Sequence, residues 1–423
     1  MLLVNQIRED YAGVVAGLQK RNFHNAPAIL DQVIALDDLR KSTQSQRDQI
    51  QAEANTISKQ IGVLMKEGRA EEAVAIRERT SQIKEQIKEL EAHYAQAEED
   101  LKALLYTIPN VPHTSVPKGK SAEDNEVVLE HGTIPVLFEG KLPHWELIKK
   151  HDIIDFDLGV KITGAGFPVY KGKGARLQRA LINFFLDEAL AAGYTEIQPP
   201  ILVNEDSGYG TGQLPDKEGQ MYFATADQLY LIPTAEVPIT NLYRDVILSE
   251  EDLPIKNVGY TPCFRREAGS WGAHVRGLNR LHQFDKVEVV QITHPDRSYD
   301  TLESMSGYVQ GLLQKLELPY RVLRLCGGDM GFTSALTYDM EVYSAGQERW
   351  LEVSSVSNFE TYQANRLKLR FKGEDKKTQL AHTLNGSALA LPRIVASILE
   401  NNQTLDGIRM PKVLWPYLGF DSI

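Results

Sequence analysis

Two heptad patterns in the N-terminal quarter constrain the fold of this chain more than any other feature. In both patterns apolar residues recur at steps of three and four, which places them along one stripe of an α-helix. Only the short turn of residues 66–69, which contains Gly68, separates the two. Helices joined by so short a turn fold back on each other, and we predict an antiparallel coiled-coil hairpin. The seam consists of Ile50, Ala54, Ile57, Ile61 and Leu64, followed by Ile76, Thr80, Ile83, Ile87, Leu90, Tyr94, Ala97, Leu101 and Leu104.

The predicted hairpin is longer than a compact domain needs. Arms of about 38 residues would reach on the order of 57 Å at 1.5 Å per residue. A dimerisation element or a spacer would explain such a coiled coil, and so would a lever that contacts a large, distant partner. Basic side chains along the arms could contact phosphates, but acidic neighbours are nearly as numerous, so charge alone does not decide. The basic set is Arg40, Lys41, Arg47, Lys59, Lys66, Arg69, Arg77 and Arg79, and the acidic set is Asp48, Glu53, Glu71, Glu72 and Glu78.

Length and composition set wider bounds on the chain. With 423 residues it should contain at least two domains, and we expect the helical arm at 1–110, a polar linker at 109–125 and a second domain at 111–423. The formal net charge of -11 argues against a broad basic surface, so nucleic acid would have to meet a local patch.

Cysteine usage and hydropathy predict a cytoplasmic protein. Cys263 and Cys326 are too few for a disulfide framework or a four-cysteine zinc site, which indicates a reducing compartment. The chain lacks an apolar run of 18 residues, and its N-terminus is too briefly apolar for a signal peptide. No membrane partner is expected.

Residues 261–288 are predicted to form a β-hairpin with a long loop punctuated by Gly269, Gly272 and Gly277. Antiparallel pairing would gather two arginines, two carboxylates and an aromatic ring near one sheet face. This set suits a nucleotide with a charged co-substrate, because arginines bind phosphate or carboxylate and a ring stacks on a base. An exposed hairpin held by salt bridges is the alternative. The residues are Arg265, Glu267, Arg280, Phe284 and Glu288.

Thr234, Ala235 and Glu236 follow an apolar strand and lie between two prolines. A turn fixed by prolines presents a hydroxyl and a carboxylate at little ordering cost, which favours a binding site. The alternative is that Thr234 caps a helix.

Glu352 and Ser355 lie in a strand that runs into a serine-rich segment. Strand alternation puts Glu352 on the same face as Ser354, and Ser355 on the opposite face unless the chain bends. A carboxylate and a hydroxyl this close suit Mg²⁺ shared with phosphates. An edge strand that ends in a serine turn is the alternative.

Residues 382–393 read as a strand of small residues that gives way to a helix, with Arg393 near the helix start. The helix macrodipole disfavours arginine there, so an anionic partner is expected. His282 and His382 have no third ligand at a metal-binding spacing and are interpreted as structural.

In this order the segments resemble the class II aminoacyl-tRNA synthetases. Residues 175–200, in which an apolar stripe predicts a helix at 175–192 followed by a strand at 194–198, resemble motif 1, which builds the dimer interface in that class, and residues 261–288 resemble motif 2. Residues 386–393 resemble motif 3, although Ala388 and Ala390 stand where glycines are common, and Pro392 stands where many members have Glu. The Thr-Ala-Glu triplet, the Asn-Gly-Ser segment and the helical arm are typical of bacterial seryl-tRNA synthetases.

This resemblance implies an α+β chain, in which an antiparallel coiled-coil arm precedes a catalytic domain with an antiparallel sheet flanked by helices. It also implies a homodimer that uses ATP and Mg²⁺ to join L-serine to serine tRNA through a seryl-adenylate. The arm would hold the long variable arm of that tRNA. Bacterial members also serylate selenocysteine tRNA, and the same is expected here.

Site roles follow from the resemblance and from the charges that ATP brings. Arg265 is assigned to the α-phosphate and the serine carboxylate, and Arg280 and Arg393 to the distal phosphates. Phe284 and Arg393 would sandwich adenine, and Glu267 would accept from its amino group. Arg265 and Arg393 are the predicted catalytic residues, and Glu352 and Ser355 the predicted metal ligands. The full ATP set is Arg265, Arg266, Glu267, Arg280, Leu281, Phe284, Glu352, Val353, Ser354, Ser355 and Arg393.

The serine pocket needs partners for an ammonium and a hydroxyl. Glu288 is assigned to the ammonium, and the predicted set comprises Thr234, Ala235, Glu236, Arg265, Glu288, Asn385 and Ser387. Three other functions fit less of the sequence. A carrier-protein amino-acid ligase would lack the arm, a non-catalytic tRNA-binding relative would have lost Arg265, Glu352 or Arg393, and a scaffold explains only the first quarter.

Overall fold

The computed structural model describes residues 1–216, 218–267 and 275–423, which form two compact units. The helical unit comprises Leu2–Gln19 and Phe23–Pro109. The sheet unit comprises Met1, Lys20–Asn22 and Asn110–Ile423.

Four helices make up nearly all of the helical unit. They are α1 (Val4–Glu9), α2 (Tyr11–Lys20), α3 (Ala26–Lys66) and α4 (Ala70–Leu105). The predicted coiled-coil hairpin is confirmed, because α3 and α4 pack along their lengths and their seam residues are less exposed than the flanking positions. Across the hairpin, Arg79 Nη2 lies 2.9 Å from Glu53 Oε1. The side chains of Arg77 and Glu78 lie outside the described part of the chain.

The sheet unit is built on an eight-stranded sheet with two small three-stranded sheets and one two-stranded sheet. Numbered along the chain, the strands are β1 (Glu126–His131), β2 (Ile154–Asp155), β3 (Val169–Tyr170), β4 (Thr195–Glu196), β5 (Leu202–Val203), β6 (Phe223–Ala224), β7 (Leu229–Leu231), β8 (Ile247–Ser249), β9 (Ile255–Phe264), β10 (Gln283–Thr293), β11 (Tyr320–Arg324), β12 (Leu336–Ser344), β13 (Arg349–Asn358), β14 (Arg370–Lys372), β15 (Thr378–Leu380) and β16 (His382–Ala390). The large sheet has the order β1-β11-β12-β13-β16-β10-β9-β4. Its neighbours are antiparallel except β4 and β9, so the predicted α+β class is confirmed.

Nine helices belong to this unit within the described residues. They are α5 (His144–Lys150), α6 (Phe156–Ile162), α7 (Gly172–Ala191), α8 (Glu205–Thr211), α9 (Glu236–Asn241), α10 (Ser298–Lys315), α11 (Thr361–Leu367), α12 (Leu391–Asn401) and α13 (Trp415–Leu418). None of the helices in the described ranges is both long enough and apolar enough to cross a bilayer.

One face of the large sheet carries the main apolar core. Val287 and Val289 of β10 pack in a single buried cluster with side chains of α7, α10 and α12, such as Phe184 and Val309. Because side chains alternate along a strand, Lys286 and Glu288 point to the other face. Helices α7, α10 and α12 therefore leave that second face to polar side chains and to α9, which packs there against Val290.

Two stretches differ from their sequence predictions. The sequence of residues 126–170 predicts short strands and turns, whereas the structure also has the helices α5 and α6 there. The predicted strand at 194–198 is reduced to β4, whose two residues pair in parallel with β9. The helices α5 and α6 are about two turns long and β4 has two residues. Elements this short carry too little periodicity to be identified from sequence.

Candidate active site

The candidate site lies on the sheet face opposite α7, α10 and α12. Pairing of β9 with β10 puts Phe284 across from Cys263 and Glu288 across from Gly259. On the other side, β16 places Ser387 across from Glu288. The register therefore brings predicted residues from the hairpin and from the motif 3 segment onto adjoining strands.

Lys286 joins the predicted serine pocket, although sequence analysis did not select it. Its Nζ lies 2.5 Å from Glu288 Oε2 and donates to Thr234 Oγ1 at 2.9 Å. Ser387 Oγ is 3.4 Å from the same Glu288 oxygen. Lys286 and Glu288 are 6% and 1% exposed, so this is a buried ion pair. Its position two residues before Glu288 was a usable signal, because strand residues at that spacing share a face.

Thr234 belongs to the polar cluster and is not the N-cap of α9, which is the next residue, Ala235. Its hydroxyl accepts from the Glu236 backbone N–H at 3.2 Å, at the start of α9. The same hydroxyl also accepts from Lys286, which places it in the polar cluster. Asn385, on the strand next to Glu288, pairs with Val290 and is half-buried.

Glu236 is a buried carboxyl at the edge of this cluster. Burial and the neighbouring Glu288 carboxylate raise its pKa to about 7, against the opposing effects of a Gln363 hydrogen bond and of Lys286 and Arg265. Gln363 Nε2 donates to Glu236 Oε1 at 2.6 Å and is itself held by Thr383 Oγ1 at 2.7 Å. Gln363, on α11, is a second pocket residue absent from the sequence prediction.

Arg265 lies beside the pocket and against the predicted base-stacking ring. Its Nε donates to the Pro233 carbonyl at 3.3 Å, and its guanidinium carbon is 5.2 Å from the Phe284 ring centroid. Arg280 forms an ion pair with Glu267. The predicted phosphate ligand and the predicted adenine acceptor therefore contact each other in this structure. Gly269 and Gly272 of the predicted loop lie outside the described residues.

Arg393 is the third residue of α12 and is held by the neighbouring segments. Its Nε donates to the Asn279 carbonyl at 3.0 Å, and its Nη1 donates to the Glu352 carbonyl at 2.7 Å. The Glu352 carboxylate is 3.5 Å away. Since Asn279 immediately precedes Arg280, the structure brings the motif 3 arginine next to the returning arm of the hairpin.

A β-bulge brings Glu352 and Ser355 onto one face. Ser354 pairs with Met340 and Glu352 with Glu341, which leaves Val353 without a partner. The extra residue reverses the alternation, so Glu352 and Ser355 both face the side of Asp339 and Glu341. This is the bend that the sequence pattern required.

Asp339 adds to this face a carboxyl group that is not among the predicted site residues. Ser355 Oγ donates to Asp339 Oδ1 at 2.6 Å. Burial and the nearby Glu352 carboxylate raise the pKa of Asp339 well above its usual range. A carboxyl group in this condition gains from a cation placed beside it.

Five other residues of the predicted set do not direct a polar side chain into the site. The side chains of Ala235, Leu281 and Val353 are buried among apolar residues, so their contribution to a ligand would come from the backbone. Ser354 turns away from the site and donates to the Ser387 carbonyl at 2.6 Å. Arg266 is exposed, and its backbone N–H donates to the Gln220 carbonyl.

The fold and this constellation of residues define a class II aminoacyl-tRNA synthetase core. The family model "tRNA synthetase class II core domain (G, H, P, S and T)" matches residues 223–402, and the "Seryl-tRNA synthetase N-terminal domain" model matches residues 1–112. Together they cover more than half of the chain.

Full-length relatives narrow the assignment within the class. The serine–tRNA ligase of Salinibacter ruber is 51% identical over 100% of this chain and 99% of its own. Among solved structures, seryl-tRNA synthetase from Pyrococcus horikoshii complexed with ATP superimposes with a TM-score of 0.92 at 34% identity, covering 100% of this chain and 99% of that one. The cytoplasmic serine–tRNA ligase of Naegleria fowleri in complex with AMP gives 0.87 at 26% identity, covering 100% and 98%.

The chain belongs to the seryl-tRNA synthetase family. It is accordingly an enzyme of the serine–tRNA ligase type, with the helical N-terminal domain and the class II core that the family models describe.

Proposed function

We propose that this enzyme activates L-serine with ATP to form seryl-adenylate and then transfers the seryl group to tRNA. The observation that carries the proposal is the buried cluster of Thr234, Lys286, Glu288 and Ser387, which lies beside Arg265 and its stacked partner Phe284. An amino-acid pocket and a nucleotide surface thus adjoin on one sheet face.

In the first step a serine carboxylate oxygen forms a bond to the α-phosphorus, and the bond from that phosphorus to pyrophosphate breaks. Both reactants are anions, so neutralising charge is the main requirement. Arg265, which contacts the Pro233 carbonyl next to Thr234 and the Phe284 ring, serves the carboxylate and the α-phosphate. Arg280 and Arg393 serve the distal phosphates, which requires Arg280 to exchange its Glu267 partner for phosphate.

Serine recognition uses the groups around Glu288. The carboxylate of Glu288 accepts the serine ammonium, in the place where the Lys286 ammonium lies in this structure. Thr234, Glu236, Asn385 and Ser387 surround the side chain. A buried polar pocket of this kind rejects alanine by about 10⁴-fold, because alanine would leave donors and acceptors unpaired.

Glu352 and Ser355 are the groups that would hold Mg²⁺, and the residues present fit such an ion. The face they share with Asp339 offers oxygen donors, which Mg²⁺ prefers. Across the described residues, no three His, Cys, Asp or Glu side chains form a ready metal cage. That agrees with an ion bound by one or two protein carboxylates plus ATP phosphates. When bound, the ion would neutralise phosphate charge.

In the second step the terminal ribose hydroxyl of the tRNA attacks the carbonyl of seryl-adenylate, and AMP leaves. Serine tRNA is the proposed substrate, with selenocysteine tRNA as a second one, both held by the helical arm in the cytoplasm. A homodimer is also proposed. Its support is the edge strand β1, which exposes Val127, Val128 and Leu129 at 44%, 43% and 41% and would otherwise be an open, apolar sheet edge.

Pyrophosphate exchange screened across the twenty amino acids tests this proposal. Exchange with ATP should depend on serine alone, with alanine weaker by about 10⁴-fold. Aminoacylation of serine tRNA and selenocysteine tRNA transcripts then tests the second step. Exchange that is best with another amino acid, or that needs no amino acid, would reject the assignment.

A further inference from the structure

A ring of buried hydrogen bonds adjoins the segments that carry Arg280 and Arg393, and three of its members, His144, Gln347 and Glu400, lie outside all the motifs. His144 Nδ1 donates to Glu400 Oε1 at 2.6 Å, and the Leu278 backbone N–H donates to His144 Nε2 at 2.8 Å. Asn279 Nδ2 donates to Gln347 Oε1 at 2.9 Å, and Gln347 Nε2 returns to Glu400 Oε1 at 3.0 Å. We call these five residues the His144 ring.

Burial makes the ring rigid. The side chains of His144 and Glu400 are 0% exposed, so water cannot replace a lost partner. The ring also fixes the tautomer of His144, because Nε2 accepts a backbone N–H and Nδ1 must therefore carry the proton. An unpaired donor or acceptor at this depth is costly, so each bond keeps the others in register.

The ring joins the two segments that carry the arginines. Glu400 lies two turns after Arg393 on α12, and residues seven apart share a helix stripe. Leu278 and Asn279 belong to the returning arm of the hairpin, and the Asn279 carbonyl accepts from Arg393 Nε at 3.0 Å. The ring therefore sets the distance between α12 and the chain that leads directly into Arg280.

Gly277 shows how closely the hairpin is fitted to His144. Its φ is +66°, and a Cβ added there would lie 2.3 Å from His144 Nε2. A side chain at 277 would push the ring nitrogen away from the Leu278 N–H. Both the backbone conformation and the close approach thus suit glycine alone.

We propose that His144, acting with Glu400 and Gln347, is a positioning residue that holds Arg393 and the Arg280 segment in register for ATP. His144 touches neither substrate in this proposal, and it acts only through Leu278 and Asn279. The inference rests on the proposed function, since it concerns the ATP side of the same site.

Two substitutions at His144 separate its two bonds. His144→Gln can supply an oxygen near the Nε2 position and retain the Leu278 bond, whereas His144→Asn can retain the Glu400 bond but leaves the Leu278 N–H unpaired. In pyrophosphate exchange, His144→Asn should raise the KM for ATP about tenfold, in the range expected for one unsatisfied buried donor. The KM for serine should stay within about twofold, and His144→Gln should recover most of the loss.

Coupling to Arg393 distinguishes positioning from general destabilisation. Arg393→Lys already weakens the link to Asn279. The fold-increase in the KM for ATP caused by His144→Asn should therefore be clearly smaller in the Arg393→Lys enzyme than in the wild-type enzyme. Asn401→Ala is the matched control, because Asn401 is the neighbour of Glu400 on α12 and its side chain bonds to the backbone of Ala345 and Tyr343, which lie outside the ring. It should lower the melting temperature without changing the KM for ATP. Gln347→Leu opens the ring from its other side and provides the test if the His144→Asn protein is not recovered.

Three results would overturn the inference. One is an unchanged KM for ATP in both His144→Asn and Gln347→Leu. Another is an equal rise in the KM for serine. The third is a His144→Asn effect on the KM for ATP that is equally large in the wild-type and Arg393→Lys backgrounds. A wild-type enzyme without serine-dependent exchange would instead refute the proposed function, so the two failures are distinct.

Discussion

Replacing Lys286 with methionine should destabilise the sheet unit far more than an ordinary lysine substitution. The Lys286 side chain is 7% exposed and its partner Glu288 is 1% exposed, so methionine would leave a buried carboxylate without its cation. Breaking a buried pair from one side costs about 3–5 kcal/mol. The unfolding entropy is near 2.1 cal/mol/K per residue. For a unit spanning residues 110–423, the loss therefore corresponds to a fall in melting temperature of roughly 4–8 °C.

Calorimetry of the full-length protein measures this fall in melting temperature. Repeating the measurement with serine tests whether Glu288 binds the substrate ammonium. Excess serine should raise the melting temperature of Lys286→Met by more than that of wild type, because the substrate ammonium would replace the missing cation at Glu288. Lys315→Met is the matched control, since Lys315 pairs with Glu188 while 50% exposed, and such pairs contribute about 0–1 kcal/mol. If Lys286→Met cost no more than Lys315→Met, or if serine protected it less than wild type, the reasoning would fail.

Three further predictions address the same site. Arg265→Ala should lower serine-dependent exchange on the order of 10²–10³-fold with the circular dichroism spectrum intact, while the exposed Arg297→Ala should not; near-normal exchange in the first variant would refute the role of Arg265. Asn385→Ala and Ser387→Ala should raise the KM for serine and reduce the preference for serine over alanine, and unchanged values in steady-state exchange would reject this pocket. Glu236 has a folded pKa of about 7 against an ordinary 4.5, so the native state keeps a proton that the unfolded chain releases. Stability should therefore decline by about 3 kcal/mol as pH rises through this window, and Glu236→Gln should remove that decline in urea titrations at several pH values.

Local periodicity explains why the fold was largely predictable. The heptads of α3 and α4, the apolar stripe of α7 and the small-residue strand before α12 each carry their own signal along the chain. Elements such as α6 and β4 do not, because seven or two residues hold too little pattern, and tertiary contacts decide their state. The helical segment before α3 similarly breaks at Asp10 into α1 and α2, a detail that periodicity does not fix.

Most of the predicted site residues lie close together in the structure. The residues that hold them in place could not be predicted from the sequence. Arg265, Phe284, Glu288 and Ser387 meet because motif residues on paired strands must meet once the register is known. Gln363 reaches Glu236 from α11, more than a hundred residues away in sequence, and no local pattern links the two. His144 is still more remote, since its side chain contacts Glu400 and the backbone of Leu278 and none of the predicted site residues.

The β-bulges mark the point at which sequence reasoning about faces fails. Simple alternation separates Glu352 from Ser355, yet the unpaired Val353 brings them together and adds Asp339 opposite Ser355. A second register shift lies between β10 and β16. Lys286 pairs with Ala390 and Glu288 with Ser387, so β16 has one extra residue beside the pocket. Both of these irregularities lie beside charged groups that are proposed to contact a ligand, and re-aiming a side chain is what a bulge does. Regular strands in this enzyme build the core, and the proposed substrates meet the sheet where its regularity is broken.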